Sequence, residues 1–210
     1  MSNTLTVVIA KQWINEMAHR LSLYTANGQR KYLNADERMR FFKVTQTIRE
    51  DKKLFCQLLY YTGARLQEVY RLTPMRIDVS NKSVVIETLK KRKKGVYREI
   101  PLPVSLLQEL EAYIQEGCEG DKNSHSCLWV FSLRSASRYV KEAMKKADIT
   151  GIQSSAKGLR HGFAVYAISR VPITLVKKWL GHARLETTEI YLSVIGIEER
   201  DMAKRLWGNE

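Results

Sequence analysis

The chain contains one pair of strand-like segments, residues 84–89 and 96–102, among segments whose apolar spacing is helical. Both segments are rich in apolar and β-branched residues, and between them lie five consecutive cations followed by Gly95. This arrangement predicts a β-hairpin with a strongly basic tip. Because the other periodic segments are helical, the predicted fold class is α+β, mainly α with a small antiparallel β-sheet.

The helix predicted after residue 34 has the clearest start signal. Asn34 is the expected N-cap and Glu37 completes a capping box, with the helix extending to about Arg49. Gly181 is the expected C-terminal cap of a helix over 173–180. Further helical patterns cover about 51–61, 64–72, 105–115, 135–147, 159–169, 185–192 and 198–207.

The chain carries a large excess of positive charge. Its 210 residues include 35 Lys+Arg against 22 Asp+Glu, which gives a formal net charge of +13. An excess of this size favours a polyanionic partner, because binding releases counterions and the field steers association. Nucleic acid is therefore the expected partner.

The cysteines and the N-terminal residues indicate in which cellular compartment the protein is found. Cys56, Cys118 and Cys127 form no CxxC pair, so neither a disulfide framework nor a metal site is expected, and a reducing environment fits. Residues 1–10 lack the charged and apolar regions of a signal peptide. No apolar run reaches the length of a membrane span, so we expect a cytoplasmic protein without membrane contact.

Four motifs follow one another along the chain. They are Thr62-Gly63-Ala64-Arg65-Leu66-Gln67-Glu68, the basic hairpin with Lys93, Lys157-Gly158-Leu159-Arg160-His161, and Leu180-Gly181-His182 followed nine residues later by Tyr191. In this order and spacing they resemble the catalytic domain of the tyrosine recombinase (phage integrase) family. Its members carry a TGxRxxE turn, a hairpin lysine, an HxLRH box, and an LGH box nine residues before a tyrosine. The resemblance runs from about residue 32 to 207.

The chemistry of DNA strand cleavage explains these residue types. Two guanidinium groups, Arg65 and Arg160, can hold the non-bridging oxygens of a phosphate and remain charged at neutral pH. Tyr191 is the expected nucleophile, which exchanges one ester for another, so no cofactor is required. The resemblance implies that the link forms to the DNA 3′ end and frees a 5′-hydroxyl. It also implies that His182 donates a hydrogen bond to a non-bridging oxygen.

The hairpin tip supplies the expected general acid. The resemblance assigns this role to Lys93, counted back from Pro101, while Lys90 and Lys91 remain alternatives because the loop register is not fixed. Phosphate contacts are expected from the cations of the tip, Lys90, Lys91, Arg92 and Lys94.

One position departs from the family pattern. Lys157 stands where the HxLRH box usually has a histidine that serves as general base or phosphate ligand. Lys157 is still expected among the catalytic residues because it can bind phosphate, but an ordinary lysine is protonated at neutral pH, which leaves open what accepts the Tyr191 proton. Glu68 is expected to orient Arg65, and a structural role is favoured for His161.

The expected organisation is an N-terminal extension or linker over 1–30 and a catalytic domain over 31–210. Family members usually carry a further DNA-clamping domain before the catalytic one. Three explanations stay open: the chain is a naturally short member like the fimbrial-switch invertases, an accessory protein supplies the clamp, or the sequence is a piece of a longer protein. The resemblance implies a site-specific recombinase that assembles on double-stranded DNA as a tetramer. Alternatives are a type IB topoisomerase-like enzyme and a non-cleaving DNA-binding accessory protein.

Overall fold

The computed structural model describes residues 22–89, 95–117 and 128–194. Its helices are α1 (Ala35–Thr45), α2 (Glu50–Thr62), α3 (Leu66–Tyr70), α4 (Val104–Gly117), α5 (Leu133–Lys146), α6 (Ala156–Ile168), α7 (Ile173–Leu180) and α8 (Glu186–Glu189), with 3₁₀ turns at Pro74–Arg76 and Leu192–Val194. The strands are β1 (Ile77–Asp78), β2 (Ser83–Glu87) and β3 (Tyr97–Pro101). The predicted class, mainly α with a small antiparallel sheet, is confirmed.

The sheet has three antiparallel strands in the order β1-β2-β3. Strands β2 and β3 pair from Ser83 opposite Pro101 to Glu87 opposite Tyr97, which confirms the predicted hairpin. Strand β1 was not predicted. It has only two residues, so no alternation marks it, and the 3₁₀ turn before it brings Ile77 opposite Val84.

Helix α1 starts as predicted and ends earlier. The Asn34 side chain accepts from the Glu37 N–H, and the Glu37 carboxylate accepts from the Asn34 N–H, so both halves of the capping box are present. The helix ends at Thr45 instead of about Arg49. Thr45 and Thr47 donate their hydroxyls to carbonyls three residues back, which competes with continuation of the helix.

Helix α2 lies at the centre of the larger core. Its buried side chains, Leu54, Phe55, Cys56, Leu58 and Leu59, pack among α1, α4, α5 and α6. A second, smaller cluster joins α6 and α7 to the segment after α8, and its largest fully buried side chain is Tyr191. The candidate site lies where these two packed regions meet.

Some predictions fall outside the described residues. These are the helix over 198–207, the hairpin cations at 90–94, Cys118 and Cys127, and most of the predicted extension over 1–30. Among the described residues, none of the helices combines the length and the apolar composition needed to cross a membrane.

Candidate active site

Arg160 connects three of the four motifs. Its side chain is buried on the second turn of α6, where the Ser155 hydroxyl caps the helix by accepting from the Gly158 N–H. Nη1 donates to the Gly63 carbonyl at 2.9 Å, and Nη2 donates to the Leu180 carbonyl at 2.8 Å. Because these carbonyls lie at the ends of α2 and α7, one guanidinium holds both helix ends beside α6.

Burial, and next the neighbouring Arg65, lower the pKa of Arg160 to about 10. This value is still well above neutrality, so Arg160 remains a cation at neutral pH.

The turn at Gly63 requires a glycine. Its φ of +59° is in the left-handed region, and a Cβ there would lie 2.2 Å from Cδ1 of Phe163. The Thr62 hydroxyl accepts from the Ala64 N–H at 3.1 Å and fixes the next step of the chain. The turn therefore places Arg65 at the N-terminus of α3.

Glu68 orients Arg65, as predicted. The Arg65 N–H donates to Glu68 Oε2 at 3.0 Å, and Arg65 Nη1 donates to Oε1 at 2.8 Å. The Glu68 side chain is fully buried, while that of Arg65 is 40% exposed and can meet a ligand. Burial alone would raise the pKa of the Glu68 carboxyl, but Arg98 and Arg65 outweigh it and hold that pKa below its ordinary value.

Arg98 is a site residue that the sequence analysis missed. It lies on β3 and donates to Glu68 Oε2 at 2.6 Å, to the Thr88 hydroxyl at 2.9 Å, and to the Trp179 carbonyl at 2.6 Å. It thus couples the hairpin to the end of α7. The available signal was alternation, since Arg98 shares the inward parity of Ile100 on β3.

His182 follows the left-handed cap Gly181, whose φ is +66°. Its Nε2 lies 3.0 Å from Arg160 Nη2, and its Nδ1 lies 3.0 Å from the Thr188 hydroxyl. Because a guanidinium only donates, Nε2 accepts here and the proton is assigned to Nδ1. Burial, and next Arg160 and Arg65, lower the pKa of His182 to about 3, so the ring is neutral.

Tyr191 lies between α8 and the last 3₁₀ turn, with its ring buried at 1% exposure. Its ring plane is within 7° of that of His182, with centroids 6.4 Å apart. Burial raises the pKa of the phenol to about 12, against the lowering effect of Arg160 and Arg65. The phenol is therefore protonated at neutral pH, and its attack requires removal of that proton.

His161 contacts the hydroxyl of Tyr191, with 2.8 Å between Nδ1 and Oη. A structural role was favoured for this histidine from the sequence, and the contact with Tyr191 was not predicted. Burial, and next Lys157 and Arg160, lower the pKa of His161 to about 4. The signal that could have found it is helical spacing, since His161 lies four residues after Lys157 on α6 and so shares its face.

These groups line one cleft of about 430 Å³. Its walls include Lys31, Arg65, Lys157, Arg160, His161, His182 and Tyr191. Lys157 is exposed on the first turn of α6, and Lys31 was not predicted. None of the described lining residues is acidic, and the described part of the chain has no group of three His, Cys, Asp or Glu that could hold a metal. The cleft is suited to an anion.

The predicted general acid and phosphate contacts at the hairpin tip, Lys90, Lys91, Arg92, Lys93 and Lys94, lie outside the described residues. The chain on either side of them is described. The Thr88 N–H donates to the Val96 carbonyl at 2.7 Å, and a Cβ on Gly181 would lie 3.1 Å from the Thr88 hydroxyl. The base of the hairpin therefore contacts the turn that carries His182.

Comparisons with known proteins agree with this arrangement. The model of the phage integrase family matches residues 31–195. Tyrosine recombinase XerA of Pyrococcus furiosus is 30% identical over 191 residues, covering 80% of this chain and 62% of the relative. A tyrosine recombinase of Thermosipho africanus is 34% identical over 163 residues, covering 74% of this chain and 54% of the relative. The chain thus spans less than two thirds of either relative.

Solved structures share the fold at low sequence identity. A crystal structure of XerA recombinase superposes with a TM-score of 0.70 at 23% identity, covering 85% of this chain and 66% of that one. The XerH recombinase in a post-cleavage complex with its difH substrate gives 0.69 at 22% identity, covering 85% and 54%. The catalytic domain of bacteriophage HP1 integrase gives 0.59 at 21% identity, covering 85% and 94%.

Proposed function

The chain belongs to the phage integrase family, and on that premise we propose that it is a tyrosine-type site-specific recombinase. It cleaves and rejoins DNA strands through a covalent 3′-phosphotyrosyl link to Tyr191. The observation that carries this proposal is the cationic cleft in which Tyr191 lies with Arg65, Arg160 and His182.

The two arginines stabilise the charge that develops on the phosphate. Arg65 is oriented by Glu68 and partly exposed, while Arg160 is fixed by two backbone carbonyls before any ligand arrives. Removal of one such preorganised donor typically costs about 3–4 kcal/mol of transition-state stabilisation. Lys157 adds a cation at the cleft wall and binds phosphate there.

His182 donates its hydrogen bond to a non-bridging oxygen once the phosphate is bound. In the free protein its Nε2 accepts from Arg160, so this role requires the proton to move to Nε2. The Thr188 hydroxyl at Nδ1 supports either tautomer, because a hydroxyl both donates and accepts.

The leaving 5′-oxygen takes its proton from the hairpin lysine, Lys93, with Lys90 and Lys91 as alternatives. The contact of the hairpin base with the turn of His182 supports this assignment. Lys90, Lys91, Arg92 and Lys94 bind neighbouring DNA phosphates.

The partner is double-stranded DNA, which the net charge of +13 supports. Strand exchange proceeds in a tetramer on DNA, with an accessory protein as a further partner. Among the neighbours of similar fold, XerH was solved bound to its difH substrate and lambda integrase as a dimer on a COC′ core site. The reaction requires no cofactor, and we place it in the cytoplasm, where the cysteines stay reduced.

Trapping of the covalent intermediate tests the proposal. Incubation with nicked suicide duplexes from the DNA that flanks its gene is expected to yield a protein–DNA adduct in denaturing gels, without added metal. Tyr191→Phe abolishes the adduct because it removes the attacking oxygen. Tyr139→Phe, the same change on α5 where the ring packs against Phe131, is expected to leave it intact.

Two other results would redirect the proposal. Persistent absence of an adduct while DNA binding is retained would indicate a non-cleaving accessory protein. An adduct with relaxation of supercoiled DNA but no strand exchange would indicate a type IB topoisomerase-like enzyme.

A further inference from the structure

We propose that His161 is the general base that removes the proton from the Tyr191 hydroxyl as it attacks the DNA phosphate. This inference rests on the proposed function and adds a catalytic residue to it. The geometry carries it, since Nδ1 of His161 lies 2.8 Å from Oη of Tyr191, within the reach required for direct proton transfer.

The other described groups around the hydroxyl are poor acceptors. Lys157 stands where the family usually has a histidine, but it is exposed, and a lysine ammonium donates hydrogen bonds without accepting them. His182 accepts from Arg160 through Nε2 and contacts Thr188 through Nδ1, so neither nitrogen is directed at the phenol. None of the described residues that line the cleft supplies a carboxylate.

The imidazole of His161 is in the form that a base requires. Among the described residues, the titratable groups around it are Lys157 and Arg160 on its own helix, Lys31 from the segment before α1, His182 after α7, and Tyr191 after α8. Burial, and next the three cations, keep the ring neutral by lowering its pKa. With Tyr191 donating to Nδ1, the ring proton is assigned to Nε2.

Substrate binding makes the base stronger. A scissile phosphate brings negative charge beside the same three cations, which offsets their effect on His161 and favours the imidazolium. Proton acceptance therefore becomes easier when a phosphate is present to be attacked.

The step balances in protons and bonds. The O–H bond of Tyr191 breaks and its proton passes to Nδ1 of His161, while Oη forms a bond to phosphorus. The bond from phosphorus to the 5′-oxygen breaks, and that oxygen takes a proton from the general acid. On rejoining, the imidazolium returns its proton to the departing Tyr191 oxygen and the general acid regains its own.

Single-turnover cleavage of a nicked suicide duplex tests the role. His161→Asn places an amide oxygen near the position of Nδ1, so it can accept the tyrosine hydrogen bond but has no useful basicity. We expect a loss in cleavage rate of about 100-fold or more, in the range for a removed general base. Circular dichroism and DNA-binding affinity report whether the variant folds, and His161→Gln serves as a second variant if it does not.

A more acidic tyrosine at position 191 distinguishes whether His161 acts as a general base or only as a positioning residue. With 3,5-difluorotyrosine at position 191, the phenol ionises more readily, so the penalty of His161→Asn should shrink by about tenfold or more. A 5′-bridging phosphorothiolate relieves the need for a general acid only, so it should leave the penalty unchanged.

Three results would overturn the inference while the wild-type protein still cleaves. These are a His161→Asn rate within about threefold of wild type, a penalty unaffected by difluorotyrosine, and rescue by the phosphorothiolate. Absence of cleavage by the wild-type protein would instead contradict the proposed function.

Discussion

Arg160 shows how one buried side chain prepares the site before any ligand binds. Its guanidinium donates to two backbone carbonyls and lies 3.0 Å from His182, so its orientation is fixed by the fold. Such preorganisation lowers the cost of reorganising dipoles during the reaction. The same contacts make Arg160 part of the structure, so variants at this position report on folding as well as on chemistry.

Glu68 is the acidic partner of two arginines, Arg65 and Arg98. Glu68→Gln is expected to lower the free energy of unfolding by about 2–4 kcal/mol, because it leaves the buried Arg98 without an anionic partner. Urea denaturation measures the change. Glu142→Gln, which breaks an exposed pair with Arg138, is the control and is expected to change stability by less than about 0.5 kcal/mol. Equal effects of the two variants would contradict this view of the cluster.

The residues that sequence reasoning missed share one property, which is that their partners are distant along the chain. Arg98 pairs with Glu68, 30 residues earlier, and His161 pairs with Tyr191, 30 residues later. Arg65, Arg160, His182 and Tyr191 were predicted because they stand in short motifs with fixed spacing. The pairing of His161 becomes visible only when α6 and the segment after α8 pack together.

At the scale of elements, α6 is the centre of the site. It contributes Lys157, Arg160 and His161, and it packs closely at two glycines. A Cβ on Gly158 would lie 1.9 Å from the Gln153 carbonyl oxygen, and one on Gly162 would lie 2.6 Å from that of Leu33. These close backbone contacts fix the position of α6, and with it the position of its cations in the cleft.

Gly158→Ala is therefore expected to destabilise the protein, although replacing glycine by alanine within a helix usually stabilises it. Alanine in place of glycine within a helix normally stabilises by about 0.5–1 kcal/mol. Here the methyl group would overlap a backbone carbonyl, so we expect a loss of about 2 kcal/mol or more and a lower Tm. Ser137→Ala on the exposed face of α5 is the control for helix propensity. A Gly158→Ala variant as stable as the wild type would contradict the packing described for α6.

Local signals predicted most of the elements. The capping box of Asn34 and Glu37, the left-handed cap at Gly181, and the hairpin of β2 and β3 are all present. These features depend on a few neighbouring residues, which a sequence displays directly. Strand β1 and the early end of α1 depend on a turn and on competing threonine hydroxyls, which periodicity does not report.

At the scale of the whole molecule, positive charge is concentrated where an anionic substrate would bind. The cleft collects Lys31, Arg65, Lys157 and Arg160, while its two histidines are held neutral. In the unfolded chain both histidines are exposed to water, and each binds a proton at its ordinary pKa. Folding stability is therefore linked to pH through these two rings.

Stability is expected to fall on acidification from about pH 6.5 to pH 5. The pKa values of His161 and His182 are lowered on folding to about 4 and about 3, so the unfolded state binds protons first and is favoured as the pH falls. The two rings together should account for about 3 kcal/mol of this loss. Urea midpoints of the wild type and a His161→Asn/His182→Asn double variant measure it, and the double variant should show a flatter dependence. Equal slopes would contradict the neutral state assigned to the two rings.

The measurement that tests the central claim most directly is the mass spectrum of the trapped adduct after digestion with protease and nuclease. We predict a nucleotide attached through its 3′-phosphate to the peptide that contains Tyr191, with fragmentation placing it on the phenolic oxygen. A nucleotide on any other residue, or an adduct that persists in Tyr191→Phe, would contradict it.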